Sequence, residues 1–277
     1  MSGMHFRRKK ALVAVGSAFF ALALLIYGCG GGGGDGGGGG GFTPTFTNVP
    51  LEDLAGDWLG AFREHLGWTT PHTVSFNLDN TGNLTQLVVD GTALALTATV
   101  TEVSDQVFRF ASQDNNYIGT IVVDNTADHI GFTATLKIND ININMIDNNV
   151  VGVVERGASG FPAYDNADVV GSWSGPGVAV DPGYNQVEKW ELRATVDAGM
   201  SISMSDSSGG SATGQISFDI FGGGFGTYTG NGFDDEGDFF AIDSLMSPDK
   251  TFIAVWEPIG GPLLFPQDSS FSFLTKN

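Results

Sequence analysis

Apolar and polar residues alternate with a period of two through most of the chain after residue 50. In His72-Thr-Val-Ser-Phe-Asn-Leu78, the residues Val74, Phe76 and Leu78 fall on one face. The pattern returns in Ile130-Gly-Phe-Thr-Ala-Thr-Leu-Lys-Ile138 and at Ile141, Ile143 and Met145. Further along, Val187, Trp190 and Leu192 open a run that continues through Ala194 and Val196. Ile202 and Met204 follow, then Ile216, Phe218 and Ile220. Such alternation buries one face of a sheet and wets the other. Turn-forming clusters punctuate the runs: Asp79-Asn-Thr-Gly-Asn83, Asp90-Gly91, Asn115-Asn116, Asp124-Asn125, Asn148-Asn149, Ser208-Gly-Gly210 and Asn231-Gly232. Their rhythm is that of antiparallel hairpins. A helical stripe is suggested only at Leu59 to His65. The pattern predicts an all-β protein.

The pattern also occurs twice. Asp53-Leu-Ala-Gly-Asp-Trp-Leu-Gly60 is echoed by Asp168-Val-Val-Gly-Ser-Trp-Ser-Gly175. Two apolar segments, Val150-Val-Gly-Val-Val-Glu-Arg-Gly157 and Phe252-Ile-Ala-Val-Trp-Glu-Pro-Ile259, read as the corresponding closing strands. Residues 51–157 and 167–277 therefore predict two tandem antiparallel domains of about eight strands each, joined by the turn-rich linker 158–166. Eight short meandering strands suit an up-and-down barrel, which closes on itself and removes exposed edges. The Gly-x-Trp at the start of each half, at Trp58 and Trp173, resembles the first strand of lipocalins and related calycin barrels. That resemblance implies that each tryptophan packs across a barrel floor. It also implies that an arginine from a late strand, here Arg156, covers the Trp58 ring through cation–π attraction. The second half carries Trp256-Glu257 at the position read as equivalent.

The N-terminus has a different logic. A basic start (Arg7, Arg8, Lys9, Lys10) precedes an apolar run from Ala11 to Tyr27, and Cys29 ends it. This is the build of a secretion signal spanning 1–28. The stretch Leu25-Ile26-Tyr27-Gly28-Cys29 resembles a bacterial lipobox, with Tyr27 larger than the pattern favours. By that resemblance Cys29 is diacylated (palmitate-type chains) and becomes the mature N-terminus, so the membrane is a partner through Cys29. Gly30 follows the cysteine where an aspartate would signal inner-membrane retention, which points to the outer membrane, on its periplasmic face or at the cell surface. An uncleaved anchor is the competing reading; either one puts the remainder outside the cytoplasm. Gly30–Gly41 is glycine apart from Asp35. Residues 29–50 thus form a lipidated cysteine and flexible leash, with a root-mean-square span of about 20 Å over the glycine tract.

Charge and cysteine content narrow the function classes. The formal charge is −19, and the signal carries four bases and no acid, so without it the charge is −23. An acidic surface of that kind argues against nucleic acid as a partner. Cys29 is the single cysteine, so the exported part has no disulfide and no thiolate chemistry.

Candidates for chemistry are sparse. Once His5 leaves with the signal, three histidines remain: His65, His72 and His129. His65 and His72 flank a loop with Trp68, in a spacing that defines no ligand geometry. Asp234, Asp235 and Asp238, in Asn231-Gly-Phe-Asp-Asp-Glu-Gly-Asp238, are candidates for a weakly bound calcium, beside the simpler reading of an acidic hairpin. Ser247-Pro-Asp-Lys250 matches Ser-x-x-Lys as a string but reads as a turn. Phe221-Gly-Gly-Gly-Phe-Gly-Thr227 lacks the lysine and helix of a phosphate loop. Trp68, Tyr117, Tyr184 and Tyr228 are aromatics that could stack on sugars or lipids, or face a core. No catalytic residue emerges and no cofactor beyond calcium is implied. The leading expectation is a non-enzymatic envelope protein whose barrels bind a small apolar ligand or a partner protein. The alternatives are a structural module of the envelope and an enzyme using paired carboxylates on glycans.

Overall fold

The computed structural model describes residues 42–64, 70–113, 117–136, 148–181, 186–219, 224–256 and 269–277. The signal, Cys29 and the glycine tract lie outside them, as do His65, Trp68, Tyr184 and the run Ile141–Met145. The described chain is almost entirely strand. The first half contains β1 (Gly56–Glu64), β2 (His72–Leu78), β3 (Asn83–Val89), β4 (Thr92–Ala93), β5 (Ala98–Ser104), β6 (Val107–Ser112), β7 (Tyr117–Val123), β8 (His129–Leu136) and β9 (Asn148–Arg156). A one-turn helix, α1 (Asn166–Val169), opens the second half. It is followed by β10 (Gly171–Asp181), β11 (Gln186–Val196), β12 (Ser201–Asp206), β13 (Ser211–Phe218), β14 (Gly226–Asp234), β15 (Phe239–Met246), β16 (Phe252–Trp256) and β17 (Ser269–Lys276).

Each half is a closed antiparallel barrel of eight strands. In the first, the order is β2-β1-β9-β8-β7-β6-β5-β3, and β2 pairs with β3 to complete the ring, while β4 is a short hairpin arm on β3. In the second, β10 to β17 run in sequence and β17 pairs back on β10. Inside the first barrel, Trp58, Phe76, Leu78, Val100, Phe108, Val123, Ile130 and Val154 form one buried cluster. Inside the second, Trp173, Leu192, Ile202, Met204, Ile216, Tyr228, Phe240 and Ile253 form another. Tyr228 is thus a core residue, its hydroxyl donating to Asp165 O at 2.8 Å.

The two barrel floors are built alike. A 3-10 turn at Leu51–Leu54 precedes β1, and the Trp58 indole donates to Leu54 O at 3.0 Å. Helix α1 precedes β10, and the Trp173 indole donates to Val169 O at 2.8 Å. Asp165 and Asp168 close α1 with a reciprocal capping box. The cations over the two tryptophans also correspond. Arg156, at the end of β9 and paired with Trp58, lies 5.1 Å from its ring centroid and donates to Asp53 O. Lys276, at the end of β17 and paired with Trp173, lies 5.3 Å from that ring and donates to Asp168 O at 2.8 Å. The strand equivalent to β9 is therefore β17. Matching Phe252–Trp256 to Val150–Arg156 by apolar character selected β16 instead, the penultimate strand of its barrel.

Three further expectations change. Leu59–His65 is not a helix: through Glu64 it belongs to β1, bonded on both sides to β2 and β9, because ladder partners outweigh a short helical stripe. Asn231-Gly232 is not a turn but the middle of β14, with Asn231 opposite both Gln215 and Ala241. The chain reverses three residues later, where the Asp234 carboxylate accepts from Glu236 N and Asp238 N and Gly237 takes φ +86°. Asn148-Asn149 likewise starts β9.

The outer faces of the two barrels are not all wet. A third apolar core joins Ala61, Val107, Val122, Val151 and Val153 of the first barrel to Val178, Leu245, Phe252, Ala254, Trp256, Phe271 and Phe273 of the second. This explains the unbroken apolar runs of β9 and β16, whose strands are covered on both faces. Gly131 marks a close approach. A Cβ there would sit 1.9 Å from Cδ1 of Phe273, so only glycine lets the ring pack against β8.

Candidate functional site

The chemistry-bearing side chains of the described residues gather at the joint between the barrels. Asp124 follows β7 and folds its turn onto itself: its Oδ1 accepts from Asp128 N at 3.0 Å, and its Oδ2 from Thr126 Oγ1 at 2.8 Å. That turn delivers His129, the first residue of β8, into the joint with Nδ1 2.9 Å from Asp124 Oδ2. The imidazole stacks on Phe252 of β16 at 5.2 Å and is 5% exposed. Its Nε2 points across to the second barrel and lies 3.0 Å from Asp249 Oδ2.

Asp249 sits in the β15–β16 turn. Ser247 Oγ donates to its Oδ1 at 2.6 Å, and Thr251 supplies a backbone N–H at 3.0 Å and its hydroxyl at 2.6 Å. The third acid is Glu155 of β9, whose Oε2 accepts from Asp249 N at 2.7 Å. One ligand atom from each of His129, Glu155 and Asp249 lies within 4.8 Å of the others. Two of these residues come from the first barrel and one from the second.

The electrostatics follow from this geometry. Burial alone would push the His129 imidazole down, but its hydrogen bonds to Asp124 and Asp249 outweigh that and raise it to about 9. Burial works to raise the Asp124 carboxyl as well, and the hydrogen bonds from His129 and Thr126 bring it below the usual range. Asp249 is likewise held well below its ordinary value, against burial, by bonds from His129, Ser247 and Thr251. Glu155 moves the other way, raised by burial and then by the charge on Asp249.

A second charged contact crosses the joint. Arg63 of β1 donates through Nη1 to Asp243 Oδ1 of β15 at 2.8 Å, with side-chain exposures of 1% and 6%. Its Nε finds no acceptor among the described residues. Burial raises the Asp243 carboxyl to about 6, with Arg63 pulling it down and Asp219 pushing it up. On another side of the joint, the end of the leash forms a strap. Thr45 N donates to Glu191 Oε2 at 2.7 Å and Thr47 N to Gln106 Oε1 at 3.1 Å. Arg193 stands 3.6 Å from the Phe42 ring and Lys189 3.9 Å from the Phe46 ring.

Of the residues singled out in the sequence, His129 and the Ser247–Lys250 turn lie at the joint and the others lie elsewhere. Asp234, Asp235 and Asp238 lie at the β14–β15 hairpin tip, with the Asp234 carboxylate bonded to its own turn. His72 opens β2, bonded through Nδ1 to Asp90 at 2.6 Å and half exposed. Ser247 and Lys250 do not converge: the serine caps its turn, and Lys250 Nζ pairs with Asp168 at 2.9 Å. The His129 network was invisible because His129 and its partner Asp249 stand 120 residues apart in the chain. The one local sign was a histidine entering a strand directly after an aspartate-capped turn.

No protein-family model matches the sequence, and no curated sequence does. Three solved structures are similar at low identity. A protein of unknown function from the DUF3598 family of Nostoc punctiforme PCC 73102 is 12% identical with a TM-score of 0.34, over 83% of this chain and 100% of that one. A double mutant of the vaccine antigen transferrin binding protein B from Haemophilus parasuis Hp5 is 9% identical with a TM-score of 0.38, over 79% of this chain and 44% of that one. A candidate outer membrane protein from Bacteroides fragilis NCTC 9343 is 11% identical with a TM-score of 0.24, over 83% of this chain and 100% of that one.

Proposed function

We propose that the protein is a lipid-anchored component of a bacterial envelope that acts by presenting two rigidly joined β-barrels to a partner protein. The observation that carries this reading is the third apolar core. Two barrels that bury Val151, Val153, Phe252 and Phe273 between them hold a fixed mutual orientation, which a scaffold or docking module needs. The filled floors, with Trp58 1% and Trp173 2% exposed, fit the same reading. The lipobox-like Cys29 and the glycine leash supply the attachment, with the outer membrane as its site.

A second reading has its own support. Phe62, Leu87, Val89, Phe110 and Phe132 are only partly buried and pack on the first core away from the Trp58 floor. In a lipocalin-like barrel that end would receive a small apolar ligand. Mass spectrometry of an organic extract of the tag-free mature protein separates the two. The scaffold reading expects no stoichiometric small molecule, and a co-purifying apolar compound would replace it with the ligand reading. Membrane fractionation of Cys29→Ser tests the anchor: the variant should move to the soluble fraction, and unchanged membrane retention would refute acylation.

A further inference from the structure

We propose that His129, Glu155 and Asp249 form a binding site for one divalent transition-metal ion of the zinc type, which ties the first barrel to the second. Three features of the joint point to it. The first is convergence: one nitrogen and two carboxylate oxygens already lie within 4.8 Å of one another. Bonds of 2.0–2.2 Å at tetrahedral angles place ligand atoms about 3.4 Å apart. His129 Nε2 and Asp249 Oδ2, at 3.0 Å, are already within that separation. Glu155 is half-buried and Asp249 exposed, so solvent reaches the cluster from the Asp249 side.

The second feature is orientation. Asp124 holds Nδ1 of His129 at 2.9 Å, and the stacking on Phe252 fixes the ring plane. Nδ1–H donates to Asp124 and Nε2–H to Asp249, so a bound ion would take the place of the Nε2 proton on a nitrogen already aimed at the two carboxylates. A carboxylate behind a ligating imidazole in this way sets its tautomer and raises its basicity. The third feature is the donor set. One imidazole and two carboxylates suit zinc and its neighbours better than calcium, which takes six to eight oxygens. Three protein ligands leave a fourth position for water, and the partly exposed side of Asp249 gives the ion a way in.

The ion would be a cross-link, since His129 and Glu155 belong to β8 and β9 while Asp249 belongs to the β15–β16 turn. It acts on the same joint that gives the proposed scaffold its rigidity, but does not depend on that function. The test is zinc chloride titrated calorimetrically into the chelator-stripped full mature chain, with near-UV circular dichroism to confirm that each variant is folded. Saturation at one zinc per chain and a higher melting temperature are expected. Glu155→Gln and Asp249→Asn should each weaken binding by about tenfold or more, and Asp124→Asn, which touches no metal, by about 10–100-fold. His72→Gln, at the other described histidine, should bind as the unaltered chain does. The proposal is overturned by the absence of saturable uptake, by uptake that survives the Glu155→Gln/Asp249→Asn double variant, or by uptake lost in His72→Gln. Each of these outcomes leaves His129, Glu155 and Asp249 as a hydrogen-bonded cluster without an ion.

Discussion

Arg63 and Asp243 show how strongly a single buried contact can act. Both side chains are removed from water at the joint, where Arg63 Nη1 meets the carboxylate at 2.8 Å. Removing one partner strands the other charge in an apolar setting, which costs about 3–5 kcal/mol, whereas replacing both by apolar residues is far milder. Arg63→Met should therefore destabilise the protein strongly, and Arg63→Met with Asp243→Leu should recover most of the loss in denaturant unfolding. The pair also sets a pH dependence. The Asp243 carboxyl stands at about 6 when folded, above the ordinary aspartate value of 3.8. Between those limits the folded state binds more protons than the unfolded state, so this group's contribution to stability falls as pH rises from about 4 to about 6 and is level above that. Asp124 and Asp249 act in the opposite sense, and only below their ordinary value of 3.8. Glu155, also raised, and His129, raised from 6.5, act in the same sense, so melting temperatures from pH 4.5 to 7 should fall in the wild type and fall less steeply between pH 4.5 and 6 in Asp243→Asn.

At the scale of elements, the strands fall into two kinds. Strand β2 alternates buried and half-buried residues, as its sequence pattern requires. Strand β9 buries Val150, Val151, Val153 and Val154 without alternation, because its outer face meets β15 and β16. Strand β8 looks like an ordinary alternating strand in sequence, yet its outward Gly131 is the seat of Phe273. Gly131→Ala should therefore cost about 1–3 kcal/mol through overpacking, although both barrel interiors are untouched. Chemical denaturation measures the loss, and an unchanged midpoint would show that the ring has another place to go. The apolar closing runs were legible as strands, and the turn at Asp79–Asn83 was legible as a turn. Asn231-Gly232 was misread because two turn-prone residues carry less weight than ladders on both sides of β14.

At the scale of the molecule, the barrels are linked by an apolar core, a buried ion pair, the His129 network and the strap formed by residues 42–47. Separate barrels on a linker would melt independently. Barrels that share a core of this kind should unfold together, so calorimetry of the mature chain is expected to show one transition with matching calorimetric and van't Hoff enthalpies. Two resolved transitions would mean that the joint contributes little. The first barrel expressed alone would expose Val107, Val122, Val151 and Val153 to water, and is expected to associate or melt earlier than the whole chain.

The alternation of side chains and the turn chemistry in the sequence determined the strands, and their number per half pointed to closed barrels. These properties are local, set by pleat geometry and by glycine, asparagine and aspartate in reversals. The repeat of Gly-x-Trp placed two equivalent floors, and Arg156 could be named from the first. Lys276 could not be named, since its role depends on β17 returning to β10 across the whole second half. The joint was decided by tertiary structure alone. Which outer face meets which, and which histidine meets which acid, follows from how two finished barrels dock, and no periodicity within either half encodes that contact.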